Sequence, residues 1–71
     1  MKTIKKSEYR NQGVYIDLDV NFKPYENLIN NHNIYLSKDK KYFFYCHSGV
    51  KAKKVTAILE AYGYDTTYVM N

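Results

Sequence analysis

The chain reads as an α/β domain, a small parallel sheet flanked by helices, and three features point there. VYIDLDVNF, from Val14, alternates apolar and polar residues with a period of two. KKYFFYC, ending at Cys46, is an apolar run too short for a helix and rich in aromatics. From about 50 to 62 the period changes to that of a helix, and TTYVM follows as another strand. Strands alternating with helices imply right-handed crossovers, hence a parallel sheet with helices on its faces.

Taken in order, MKTIKKSEYRNQ is polar apart from Ile4 and Tyr9 and shows no sustained period. Residues 1–13 are therefore expected to be a loosely held arm, with a short strand over 3–5. A strand over 14–20 follows, carried by Val14, Ile16, Leu18 and Val20. Lys23-Pro24 breaks it and can open a helix, since proline suits a first helical turn. Tyr25, Leu28, Ile29, His32 and Leu36 recur at spacings of three and four, predicting one helix over about 25–35, weakened by its asparagines. SKDKK is a polar turn, and KKYFFYC is expected to be a buried strand. Val55, Ile58, Leu59 and Tyr62 share one face of the next helix, over 50–62. Gly63 closes it where a left-handed residue is needed, and Tyr64 folds back on the last turn.

The 71 residues make one domain, and a chain of this size buries only about 60% of the surface its unfolded form exposes. A single cysteine forms no internal disulfide, and no zinc-type spacing of Cys and His occurs, so neither a metal nor another cofactor is implied. Nine tyrosines and three phenylalanines supply the apolar bulk. A net charge of +4 favours small anions, acidic partners or nucleic acid without choosing among them. The tyrosines fall at core-compatible periods and the lysines form no stripe, which argues against nucleic acid. No apolar run approaches the roughly 20 residues that span a bilayer, so no membrane association is expected. MKTIKKSEYR has no apolar segment of a secretion signal, and a lone thiol suits a reducing compartment, so a cytoplasmic location is expected. A bare sheet face on so short a chain would invite self-association as a homodimer.

Chemistry concentrates at YFFYCHSGVKAKK, residues 42–54. In an open parallel sheet, the loops leaving the carboxyl ends of the strands form the ligand crevice, and Cys46 sits at such an end. His47, Ser48, Gly49 and Val50 lead into the next helix, so several backbone N–H groups can face the sulfur, with Gly49 allowing the curvature. A helix amino terminus favours negative charge and so the reactive thiolate. Lys51, Lys53 and Lys54 lie in the first turns of that helix, against the preference of its dipole, as if an anion were held there. Free cysteines are also among the most buried residues and are usually packing elements. The residues alone leave both readings open. His47 could assist at the loop or be an exposed loop residue. His32 reads as packing. Asp17 and Asp19 could pair with the loop lysines or cap the solvent side of the strand; the second is favoured for Asp19, and Asp17 is left open.

YFFYCHSGVKAKKVTAILEAYGYDTTYVMN, residues 42–71, resembles the rhodanese-like family, whose signature is an apolar strand, Tyr-Cys, a short loop with Ser-Gly, a helix, then Gly-Tyr and another strand. The resemblance implies that Cys46 takes up a sulfane sulfur as a persulfide. The sulfur would come from thiosulfate or a persulfide donor and pass to a thiol, a protein acceptor or another nucleophile. It further implies an anion cradle made by the backbone of His47, Ser48, Gly49, Val50 and Lys51, with His47 and Lys51 as electrostatic helpers. Many active members carry an arginine where this chain has Lys51; lysine keeps the charge but not the planar two-pronged contact. VYIDLD resembles the family's strand ending in Ile-Asp-Val, but the usual arginine after it is missing, and the chain looks like a reduced single-domain form. The alternative is a catalytically inactive, truncated rhodanese-like module with a partner-binding role. Cysteine phosphatases share such a cradle but need an arginine at the position of Ala52. A phosphocysteine carrier of sugar transport would place its cysteine after the first strand of the domain.

Overall fold

A computed structural model describes all residues, 1–71. Four strands, β1 (Lys2–Lys5), β2 (Val14–Asp17), β3 (Lys41–Tyr45) and β4 (Asp65–Met70), form one sheet in the order β1-β4-β3-β2, every neighbouring pair parallel. The helices are α1 (Glu26–Asn30), α2 (His32–Tyr35) and α3 (Val50–Ala61). From β2 to β3 to β4 the chain moves across the sheet one strand at a time in one direction. Two right-handed crossovers then place all the α-helices on one face. The connection from β1 to β2 runs the opposite way and carries residues 6–13 over the other face.

The pleat of β3 explains why its aromatic run is unbroken. Tyr42 and Phe44, with Cys46 just beyond the strand, join Ile16, Leu18, Leu28, Ala52, Val55, Leu59 and Tyr68 in the core under the helices. Phe43 and Tyr45 point to the other face, where they pack with Val69, Ile4, Tyr9 and Tyr15. Both faces of β3 are buried, so no polar residue interrupts it.

Several boundaries differ from the sequence-based expectation. The strand expected over 14–20 ends at Asp17, because the amides of Val20 and Asn21 bond to the Asp17 carbonyl and the Asn21 side chain accepts the Asp17 N–H. Short polar side chains offer the backbone this local alternative to a sheet ladder. Leu18 nevertheless stays fully buried, with its N–H on the Tyr45 carbonyl. The single helix expected over 25–35 is two short ones, broken at Asn31 (φ −124°, ψ 33°), whose side chain bonds the Asn27 carbonyl. Over 50–62 the helix stands as α3, ending at Ala61, and Gly63 is left-handed at φ 96°.

The buried face of α3 is Ala52, Val55, Thr56 and Leu59. Ile58 is only half-buried, and Tyr62 lies outside the core, half exposed and stacked on His32. Thr56 hydrogen-bonds the Ala52 carbonyl, and Thr66 of β4 bonds the Thr56 carbonyl, so the two buried hydroxyls at this contact are satisfied.

Residues 1–13, expected as a loosely held arm, supply β1 along β4 and a 3-10 turn, Lys6–Glu8. Tyr9 then packs edge-on against Phe43 and tilted against Tyr15, with its hydroxyl on the Gly13 carbonyl at 2.6 Å. The face without α-helices is thereby covered by this segment. No helix is long and apolar enough to cross a membrane.

Candidate functional site

Cys46 follows the carboxyl end of β3, a central strand, and its side chain turns under the first turn of α3. The Ala52 N–H points at its sulfur, 3.2 Å away. Gly49 is left-handed (φ 85°) and caps α3. It also lies so close to the β4 side chain below that a Cβ there would stand 2.5 Å from the Tyr68 hydroxyl. The loop can make its turn only with glycine at this point.

The loop amides divide into two groups. The His47 N–H bonds Asp19 Oδ2 at 2.7 Å, and the Val50 N–H bonds Ser48 Oγ at 3.3 Å. Those of Ser48, Gly49 and Lys51 have no acceptor within the chain. Three backbone donors at the head of a helix, beside a cysteine sulfur, form a setting suited to negative charge.

The sulfur itself is closed off. Cys46 is 1% exposed. The one cavity of the molecule, about 430 Å³ and lined by Lys6, Tyr9, Asn11, Tyr15 and Asp17, is not at Cys46. There, burial first and then the Asp17 charge push the Tyr15 hydroxyl above its ordinary pKa.

Asp19 does not cap the solvent side of its strand, the role its sequence position suggested. Besides the His47 amide it binds Lys51 Nζ through Oδ1 at 2.9 Å, and the Asp17 carboxylate accepts the Asp19 N–H. Asp17 thus positions Asp19, and Asp19 ties the cysteine loop to the end of β2. The His47 amide, then the Lys51 side chain, hold the Asp19 carboxyl below its ordinary pKa, and the same carboxylate raises that of Lys51.

The three lysines of α3 each have a partner: Lys51 the Asp19 carboxylate, Lys53 the Tyr68 ring at 5.7 Å and Lys54 the Tyr25 ring at 5.9 Å. Their placement against the helix dipole therefore does not by itself require a bound anion. Lys51 is nonetheless the cationic side chain that the Asp19 carboxylate holds at the loop.

Of the residues read from sequence, Cys46, Ser48, Gly49, Val50 and Lys51 are drawn together by the turn into α3. The His47 side chain is exposed, and the His47 N–H is taken up by the Asp19 carboxylate. His32 lies at the other end of the sheet, with Nδ1 2.6 Å from the Tyr64 hydroxyl, in a packing role. Two residues that sequence reasoning missed also hold the loop. Asn71 accepts from the Tyr45 hydroxyl and donates to the His47 carbonyl at 2.7 Å, and Tyr68 lies beneath Gly49. No group of three His, Cys, Asp or Glu side chains gathers that could hold a metal.

Comparison with curated proteins and with solved structures gives no significant match. The profile of the Rhodanese-like domain matches residues 4–71, which takes in every strand but the first two residues of β1, all the helices and the whole cysteine loop. A reduced sheet, a cysteine closing a central strand and a glycine-capped helix behind it thus sit inside one continuous match, and the chain belongs to the rhodanese-like domain family, a sulfurtransferase-type family.

Proposed function

We propose that the protein is a sulfurtransferase carrying sulfane sulfur as a persulfide on Cys46. The observation that carries this reading is the Ala52 N–H held on the Cys46 sulfur, in a loop whose Ser48, Gly49 and Lys51 amides have no acceptor within the chain, inside a rhodanese-like domain. Their charge preference suits the terminal sulfur of a persulfide, which is negative when ionised.

The chemistry balances without an external redox partner. The Cys46 thiolate attacks the sulfane sulfur of the donor, and a new S–S bond forms as the donor's own breaks. The donor residue leaves with the electron pair, sulfite from thiosulfate or a thiolate from an organic persulfide. An acceptor thiolate then attacks the outer sulfur and Cys46 leaves as thiolate. The amides of Ser48, Gly49 and Lys51, which have no acceptor within the chain, stabilise the charged intermediate, and Lys51, paired with Asp19, is the side-chain cation of the loop.

One observation favours a second reading. With Cys46 1% exposed and no cavity above it, the loop must open for a donor to reach the sulfur. A module that keeps the loop for its shape, and binds a partner without chemistry, would need no such opening. Intact mass after incubation with thiosulfate and, separately, with an organic persulfide divides the two. Gain of one sulfur atom, removable by cyanide and absent in Cys46→Ala, is expected for the transferase. No gain from either donor in a folded protein would leave the binding module as the better account.

A further inference from the structure

We infer that Asp19 sets the donor preference of the cysteine loop, turning it away from dianionic thiosulfate and towards an organic persulfide carrying at most one negative charge. This rests on the reading of Cys46 as a persulfide carrier.

The argument begins with what an anionic donor would need. Around Cys46 the attractive features are the loop amides and the Lys51 side chain, while Lys53 is held over the Tyr68 ring. Asp19 engages both kinds. Its Oδ2 occupies the His47 N–H at 2.7 Å and its Oδ1 holds Lys51 Nζ at 2.9 Å. Two of the groups that would otherwise receive an incoming anion are thus bound to a negative charge supplied by the chain itself.

The carboxylate is fixed in place as well. Its own N–H is held by the Asp17 carboxylate, and Asp17 is the last residue of β2, paired with Tyr45 next to Cys46. The Asp19 side chain can therefore swing clear only by giving up its bonds to the His47 amide and to Lys51. Near the loop the net contribution of Asp19 and Lys51 is close to zero, where Lys51 alone would add a full positive charge.

Coulomb energy scales with the product of the charges, so removing one negative charge helps a dianion more than a monoanion. For charges about 6 Å apart in a mostly aqueous setting each unit of charge product is worth about threefold in affinity, so a dianion gains about tenfold and a monoanion about threefold. Asp19→Asn keeps the shape and a hydrogen-bond acceptor while deleting the charge.

Two readouts test this on the full chain. The first needs no turnover: sulfate, an inert dianion, is titrated while the amide resonances of Gly49 and Lys51 are followed. Asp19→Asn is expected to bind sulfate about tenfold more tightly than the unaltered protein. Lys51→Gln, which leaves the carboxylate uncompensated, is expected to bind it about tenfold more weakly. The second compares sulfur loading from thiosulfate and from an organic persulfide, whose rate ratio should move about threefold towards thiosulfate in Asp19→Asn. Equal sulfate affinity in all three folded proteins, or both donors changing by the same factor, would overturn the inference. Should Asp19→Asn not fold, the Lys51→Gln titration still decides. If no protein loads sulfur from either donor, the transferase reading falls, while the sulfate titration still shows whether Asp19 screens the loop.

Discussion

Gly49→Ala merges two penalties that a second substitution, Tyr68→Phe, separates. The first is backbone strain. At φ 85° an alanine is in left-handed territory, which costs roughly 1 to 2 kcal/mol for an L-residue. The second is steric: the new Cβ would stand 2.5 Å from the Tyr68 hydroxyl, on a side chain only 7% exposed in the core beneath α3. Overpacking of this kind costs about 1 to 3 kcal/mol. The sum, about 2 to 5 kcal/mol, is a large part of the roughly 4 to 10 kcal/mol expected for a chain of this size.

Tyr68→Phe removes only the oxygen. The next ring atoms lie 3.6 and 3.9 Å from the Cβ position, ordinary contact distances. In that background Gly49→Ala should cost only the strain, so the double-mutant cycle should show a coupling of about 1 to 3 kcal/mol. Urea midpoints for the four proteins, at a common m-value, measure it directly. If Gly49→Ala cost the same in both backgrounds, to within about 0.5 kcal/mol, Tyr68 would not be the floor of the loop and the glycine would be required for its dihedral alone.

The bond between Asp19 and Lys51 gives a pH dependence with a definite sign. Asp19 titrates below its ordinary 3.8 in the folded chain, so its contribution is present above 3.8 and is lost as pH falls through the lower folded value. Lys51 titrates above 10.5, so its contribution is present below 10.5 and is lost as pH rises further. Urea midpoints across pH should show the stability gap between the unaltered protein and Asp19→Asn closing as pH drops below 3.8; a gap that persists in acid would mean that the carboxylate charge is not what holds the loop. Tyr9→Phe should cost about 1 kcal/mol for the hydrogen bond to Gly13. Tyr9→Ala should cost about 2 to 3 kcal/mol and bare Phe43, seen as new binding of a hydrophobic dye; equal costs for the two would show that the ring does not cover that face. Finally, Phe44→Ala, at a fully buried position in the central strand, should cost about 3 to 5 kcal/mol by urea unfolding, and a loss under 1 kcal/mol would contradict its place in the core.

What could be read from the sequence follows from where information is local. KKYFFYC announces a strand buried on both sides because nothing polar interrupts it, and Gly63 marks a helix end because few other residues tolerate φ 96°. The cysteine followed by Ser-Gly and a helical period likewise places the loop without reference to anything distant. The misreadings involve pairings or small residues. The apolar pattern of α3 pointed to Ile58 and Tyr62, whereas the sheet is met through Ala52 and Thr56, whose small side chains allow close approach and leave no strong periodic signal. Asp19 was read as a solvent-side cap because its partners are 28 and 32 residues away. Only the register of β2 on β3, with Asp17 opposite Tyr45, brings the end of VYIDLD beside the residue after Cys46. Asn71 is hidden for the same reason, as nothing in its neighbourhood in sequence announces Tyr45 or His47.

The positions of residues 1 and 71 bear on how the molecule can be handled. The amino group of Met1 lies 3.8 Å from Glu60, near the far end of α3, while Asn71 is bonded to the loop that carries Cys46. An affinity tag or fluorophore joined ahead of Met1 would sit at the opposite pole from the sulfur. The same addition after Asn71 would begin against His47, compete for its carbonyl and crowd the path to Cys46. Assays on carboxyl-terminal fusions would then report the fusion as much as the protein, and amino-terminal attachment is the arrangement that leaves the loop as described.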